Sequence, residues 1–430
     1  MNDVEKRLAK EKERMNLTIA PVELEARLRG ALDTAVPRKP KHNKAIWKFA
    51  AVMLFSLLIV GYHYNGLAYY GKKLLGFDEV MSGTLKNLNE AGMGQLVDEK
   101  MRLEGGTELV IDGMMTDDNQ LILYYTLNNP DGLGDLSNSH FSPTKITGFL
   151  TNSMVQGGTA IINEEGTEVK GTMHFENVSA FSKKLTVHFT QTQSNGHLKA
   201  EELTFPYNPN LALQTQFKQS IKKTVDVDKG SITFDSIKAT PTLTVIDGSL
   251  KVDNFDRVDF ALGGIELVAN GSPVELRGGG SGSSFSGQKF EINFDALPES
   301  LTSLELVVKE FVGYQKLNDE ISLSSIEETP IELGGKALWI KDVSNTSQGV
   351  EITIATEEDV MLDGVYIGDE NNKVEILTTQ NQTHDKQADG REWKVRTIVF
   401  DTKIDPDYLL IEGMHFMKKY NKKIEIPVGE

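Results

Sequence analysis

Nineteen consecutive residues, Ile46 to Tyr64 (IWKFAAVMLFSLLIVGYHY), carry a single charge, Lys48. At about 1.5 Å of rise per residue, a helix of that length reaches roughly 28 Å, close to the hydrocarbon thickness of a bilayer. The run therefore predicts a transmembrane helix, and a chain that contains one is divided between two compartments. Lys48 lies one turn inside the amino-terminal end, where its side chain reaches the headgroups, and Trp47, Tyr62 and Tyr64 occupy interfacial positions. Arg38, Lys39, Lys41, Lys44 and Lys48 crowd the amino-terminal flank, whereas the 15 residues after Tyr64 have Lys72 and Lys73 as their basic residues. The positive-inside rule then puts Met1 in the cytoplasm and the chain beyond residue 65 outside, a single-pass plasma-membrane topology. The alternatives are a buried core helix or a cleaved signal peptide. Gly66-Leu67-Ala68 weakly fits a small-x-small cleavage site, but a 45-residue preamble with its own amphipathic pattern favours an uncleaved anchor.

Charge divides along the same line. Residues 1–44 hold 11 Lys and Arg against 7 Asp and Glu, Lys48 raises their net +4 to +5, and with −17 overall the remainder carries −22. An acidic exterior argues against nucleic acid or anionic lipid as a direct ligand and serves to keep a large surface soluble. The absence of cysteine removes disulfides, thiol chemistry and thiolate metal sites. A disulfide-free exterior of this size suggests a bacterial, Gram-positive surface protein.

Residues 1–44 read as short cytoplasmic helices. Asp3 to Arg14 is charge-rich, while after Pro21 the residues Leu24, Leu28, Ala31, Leu32 and Ala35 fall on one helical stripe that Pro37 ends. Leu24, Leu28, Ala31 and Leu32 are the candidate partner-binding residues, since 44 residues bury too little core to absorb the stripe themselves. Beyond the anchor, Phe77, Met81, Leu85 and Leu88 repeat at helical spacing until Gly92 and Gly94, which predicts a stalk helix within 65–98 docking on the first folded domain.

From there the period changes from 3.6 to 2, in segments such as Leu121–Leu127, Leu185–Phe189 and Glu351–Ile354. Phe234, Ile246, Phe294 and Leu304 are spaced 12, 48 and 10, and Ile340, Ile352, Phe400 and Leu410 repeat all three spacings 106 residues later. Ile111, Leu123, Phe175 and Leu185 are spaced 12, 52 and 10. These sets imply three copies of one β domain, expected at 99–210, 211–329 and 330–430, with turn chemistry at Tyr207–Asn210 and Glu328–Pro330. About 100 residues per copy, with short alternating strands, suit an immunoglobulin-like β-sandwich. The fold class is thus mainly β: one transmembrane helix at 46–64 followed by three sandwiches.

Motifs for chemistry are sparse. Gly278–Gly287 lacks the Lys-Ser/Thr ending of a phosphate loop and reads as a mobile hairpin loop inside the second copy. His174 and His188 could approach across adjacent strands, but without a third ligand they make no metal site. Asp117-Asp118-Asn119-Gln120 reads as a tight turn, and Asp253, Asn254, Asp256 and Asp259, which lack calcium-loop spacing, as surface groups. No nucleophile motif occurs, and the expectation is no enzyme, no cofactor and no metal.

Pro21–Leu32, the run at 46–64, the juxtamembrane Gly76–Gly92 and the turn-strand Thr116–Thr126 together resemble the Gram-positive transmembrane anti-sigma factors, negative effectors of extracytoplasmic-function sigma factors. The match runs from about Ile46 to Tyr207, and the tail lacks the His/Cys signature of the zinc-containing class. The resemblance implies a signalling regulator whose cytoplasmic segment binds a sigma factor and whose exterior, of uncharacterised function, senses envelope state. The competing expectation is a surface-binding or structural protein with stacked β modules and a ligand that the sequence does not name.

Overall fold

The computed structural model describes residue 23, residues 29–30, and residues 74–428 apart from 134–140, 194–195, 260, 285–286, 325–328 and 387–391. The transmembrane run, Leu24, Leu28, Ala31, Leu32, Arg38, Lys39, Lys41, Lys44 and Lys48 lie outside the described residues. Among the described residues no helix is long and apolar enough to cross a membrane. The chain divides after Gly66, and Leu67–Glu430 is one compact unit.

The larger unit, Leu67–Glu430, is mainly β, as period-2 patterning requires, with one α-helix among its described residues. A first strand set holds β1 (Gln95–Arg102), β2 (Glu108–Thr116), β3 (Gln120–Asn128), β4 (Ser142–Gly148), β5 (Thr151–Ile162), β6 (Glu168–Glu176), β7 (Lys184–Thr192) and β8 (Leu198–Pro206). The second holds β9 (Phe217–Val227), β10 (Gly230–Ala239), β11 (Thr244–Val252), β12 (Ile265–Ala269), β13 (Ser272–Val274), β14 (Leu276–Ser284), β15 (Gly287–Phe294) and β16 (Leu304–Ser322). The third holds β17 (Ile331–Leu333), β18 (Lys336–Thr346), β19 (Gly349–Glu357), β20 (Met361–Gly368), β21 (Lys373–Glu375), β22 (Thr378–Lys386), β23 (Glu392–Phe400) and β24 (Tyr408–Glu425).

The repeated spacings reappear as hydrogen-bond register. Ile246 pairs Ile292 and Thr244 pairs Phe294 between β11 and β15, while Ile352 pairs Ile398 and Val350 pairs Phe400 between β19 and β23. The same displacement carries a β-bulge from Phe234/Ser236 to Ile340/Asp342. In the first set Leu121 pairs Phe175, and the bulge recurs at Ile111/Gly113. A bulge adds one residue to one strand and re-aims everything after it, so its recurrence at one site ties the three sets together in backbone geometry. Each set encloses its own apolar cluster, centred on Ile111, Phe175 and Phe189, on Phe234, Phe294 and Phe311, and on Ile352, Phe400 and Ile411.

The sheets join differently along the chain. In the first set all eight strands form one sheet, order β1-β2-β3-β6-β5-β4-β7-β8, because β5 pairs β4 through Thr151–Met154 and β6 through Val155–Ile162, turning at a bulge between Val155 and Gly157. The second and third sets share a sheet, order β13-β12-β16-β24-β20-β21, in which β16 and β24 pair antiparallel from Glu305–Glu425 to Ser322–Tyr408. In the first set β8 takes the place beside β7 that β24 takes beside β16.

Three sequence expectations give way to the structure. Leu410 is not the buried member of its set: Leu409 and Ile411 are fully buried and Leu410 is not, because one residue fewer separates β23 from β24 than the 106-residue frame assumes. In a strand a one-residue slip exchanges the faces. Gly278–Gly287 is largely not a loop, since Gly278–Ser284 pairs with β15 along its length. Glycine is admissible there because a Cβ on Gly279 would sit 2.9 Å from the Glu291 carbonyl oxygen. Finally, Asn254 is buried, donating to the Gly313 carbonyl at 3.3 Å and meeting His415 Nδ1 at 3.0 Å.

The slip has a measurable consequence. Leu409→Ala should lower unfolding stability by about 2–5 kcal/mol in urea titrations, and Leu410→Ala by under about 1 kcal/mol. Equal losses would restore the unbroken 106-residue frame.

Candidate functional site

The segment that leaves the apolar run begins its described course at Leu74 and is fastened to the first strand set. Leu74 N–H donates to Asn89 Oδ1 at 2.9 Å, and Asn89 Nδ2 returns a hydrogen bond to the Leu74 carbonyl at 3.0 Å. Asn89 belongs to α1 (Gly83–Glu90), which Ser82 caps by accepting from Leu85 N–H at 3.3 Å. Helical spacing suggested one helix from Phe77 to Leu88, yet Phe77 and Met81 lie in turns ahead of α1. Leu74, Phe77, Val80, Met81 and Leu85 bury themselves against Met115, Ile122 and Tyr124 in a separate apolar cluster. Phe77 meets the Tyr124 ring edge-on at 5.5 Å, and Lys170 Nζ lies 4.8 Å from the Phe77 centroid. Burial pushes the Tyr124 hydroxyl far above its usual range, so it stays neutral and donates to Met115 Sδ at 3.5 Å.

The turn at Asp117–Gln120 is a turn, as its sequence suggests, and also the joint between the first and second strand sets. Asp117 is 5 % exposed, and its carboxylate accepts from the N–H groups of Asn119 at 2.8 Å and Gln120 at 3.0 Å. Its other oxygen accepts from the Thr242 hydroxyl. Asn119 Nδ2 donates to the carbonyls of Lys238 at 3.0 Å and Leu243 at 2.9 Å, and Lys238 Nζ donates to the Asp118 carbonyl at 3.1 Å. Burial raises the Asp117 pKa despite the hydrogen bonds from Thr242, Asn119 and Gln120, which act the other way.

When ionised, Asp117 only accepts, and that fixes a directed chain. The Thr242 hydroxyl gives its proton to Asp117 and accepts from Gln120 Nε2 at 2.9 Å. Gln120 Oε1 then accepts from His174 Nδ1 at 3.0 Å. His174 is held below its usual pKa by burial and by Arg277, and is neutral at pH 7. His188 is elsewhere: Thr147 Oγ1 lies 2.7 Å from its Nε2 and Glu202 3.6 Å from its Nδ1. The two histidines are not neighbours, since β5 and β4 separate β6 from β7.

Gln120, Thr242 and Leu243 of this joint line a cleft of about 1150 Å³. Glu79, Val80, Met81, Ser82 and Leu85 of the docked segment line it, together with β5 and β6 of the first set and β11, β14 and β15 of the second. Arg277 pairs with Asp295 at 2.7 Å and Glu275 at 3.1 Å, and Lys289 with Asp235 at 3.2 Å. Burial, with Asp247 and Glu176 nearby, pushes the Glu291 carboxyl up against the opposing effects of Asn293 and Lys238. Sequence reading missed the cleft, because its lining comes from segments more than 200 residues apart that carry no shared motif. The only signal was the Gly/Ser composition of β14, which resembles that of a loop.

Among the described residues, Glu358, His384 and Glu392 bring ligand atoms within 4.8 Å of one another. Glu358 and His384 are exposed, so water competes for each donor.

Residues 39–129 match the family model of a domain of unknown function, DUF4179. No curated protein matches the chain. Among solved structures, a conserved domain protein from Bacillus anthracis aligns at 13 % identity over 72 % of this chain and 92 % of its own, with a TM-score of 0.39. A marsupial T cell receptor aligns at 8 % identity over 71 % of this chain and 98 % of its own, with a TM-score of 0.14.

The joint has a defined pH response. A carboxyl whose pKa folding raises binds its proton more tightly in the native state than in the unfolded chain. Its stabilising contribution is complete below the ordinary value of 3.8 and is lost as pH rises through the raised value. The stability difference between parent and Asp117→Asn should therefore shift against the parent from about pH 4 upward, by about 1.4 kcal/mol per unit of pKa elevation. Urea midpoints at pH 3.5 and 7 measure it, and a difference that is constant or moves toward the parent contradicts the assignment.

Proposed function

We propose that the chain is a membrane-anchored signalling regulator. In this reading residues 46–64 span the bilayer, with Arg38, Lys39, Lys41, Lys44 and Lys48 on the cytoplasmic side. Residues 99–430 form three immunoglobulin-like sandwiches outside, and Leu24, Leu28, Ala31 and Leu32 hold a cytoplasmic sigma factor. The observation that carries the proposal is the docking of Leu74–Glu90, clipped on itself by the Leu74–Asn89 hydrogen bonds, onto β2 and β3 through its own apolar cluster. A plain tether needs a solvated linker at that point. A segment buried against the first strand set instead moves with it, as a device that relays the state of the exterior must.

The competing reading is a surface-binding protein, favoured by the same cleft and by the absence of any nucleophile motif in the sequence. Deleting residues 1–37 while keeping Arg38 to Lys48 separates the two, because binding at the exterior survives it and regulation does not. Affinity capture on the tagged full chain from solubilised membranes should recover a sigma factor. Leu24→Asp, Leu28→Asp and Leu32→Asp together should reduce recovery about tenfold or more by placing charge on the contact stripe. Undiminished recovery, or no sigma factor at all, sinks the proposal.

A further inference from the structure

Two strand edges line the cleft. One wall is the edge of β5 at Gln156–Thr159, bonded on one side to β6, and the other is the edge of β14 at Gly278–Ser283, bonded on one side to β15. Among the described residues neither stretch has a second strand neighbour. Open edges are ordinarily guarded by Lys, Pro or a covering element. These two stretches contain no charged residue and no proline, and β14 presents glycine and serine only from Gly278 to Ser284. Its own side chains do not shield its main-chain donors and acceptors.

The lining shows what such a strand would carry. Thr172, 1 % exposed and part of the cleft wall, has no hydrogen-bond partner for Oγ1 among the described residues, and neither does the buried Oδ1 of Asn293, also in the lining. A buried polar atom left unpaired costs about 1–3 kcal/mol. The cleft's cations are already matched, Arg277 to Asp295 and Glu275, and Lys289 to Asp235. Glu291 and Asp247 supply negative charge in excess, on a chain of net charge −17.

We propose that this cleft binds an extended peptide by strand addition to the edges of β5 and β14, with a Lys or Arg side chain of that peptide set against Glu291 and Asp247. Backbone pairing provides affinity and the carboxylates provide selectivity. A volume of about 1150 Å³ exceeds the usual small-ligand pocket and suits several residues of extended chain. This deepens the signalling reading by naming the class of exterior ligand, and Glu79–Ser82 in the lining would put that ligand against the docked segment itself.

Fluorescence anisotropy on the solubilised full chain tests it, with fluorescein-labelled Val-Thr-Val-Lys-Val-Thr-Val as the probe. Binding is expected in the micromolar range, about tenfold weaker when Glu replaces the lysine and about tenfold weaker when alternate peptide nitrogens are methylated. Glu291→Gln, which keeps the side-chain shape, should weaken the lysine peptide about tenfold and leave the glutamate peptide unchanged. Gly280→Trp, at a position where a Cβ meets no atom within 4 Å, should block both peptides while preserving the fold, as its urea midpoint checks. Equal affinity for the two peptides, insensitivity to methylation, or no binding of the lysine peptide overturns the proposal. Since binding is read on the protein directly, it can hold while capture of a sigma factor fails, and the reverse.

Discussion

The buried carboxylate of Asp117 is the constraint on which the joint between the first and second strand sets depends. Taking an acid out of water is costly, and two turn N–H groups and the Thr242 hydroxyl converge on it to offset part of that cost. Thr242 belongs to the second strand set, so Asp117 is satisfied only while the two sets stay in register. Ionised Asp117 also polarises Thr242, Gln120 and His174 in sequence, which orients polar groups on the β6 wall of the cleft. One residue thus sets both the placement of two folded sets and the chemistry of the space between them.

The docked segment uses the opposite means. Its attachment is apolar, an edge-on aromatic pair and a small cluster separate from the main core, while an amide clip from Asn89 to Leu74 closes the segment on itself. Such a contact is graded by shape and not by charge. Val80 and Met81 belong both to the apolar cluster and to the cleft lining, so the segment's packing forms part of the cleft wall.

Much of the strand framework was legible in the sequence, because apolar positions that pair across strands must keep their spacing for a core to close. Phe234, Ile246 and Phe294 recur as Ile340, Ile352 and Phe400 down to the bulge. Leu410 was misread because spacing alone does not record a deletion between strands, and in a strand one residue reverses the face. β14 was misread because glycine marks both flexibility and close backbone approach, and only the position of Glu291 separates the two. The Asp117 turn looked ordinary since its local chemistry is ordinary, and its partners Lys238, Thr242 and Leu243 lie more than 100 residues away. Asn254 was missed for the same reason, its partner His415 being 161 residues distant.

The pairing of β16 with β24 limits how many such units can be assembled. The two strands are equivalent members of their sets and run antiparallel, so the contact relates them by a local two-fold. A contact of that symmetry is complete with two members: each set commits the same edge to the other, and a third has nothing to add to. The first set has its corresponding edge covered by its own β8, so it meets its neighbour through a turn instead. Lengthening the array of strand sets by duplicating a module would therefore require a new kind of junction, whereas the present arrangement terminates itself.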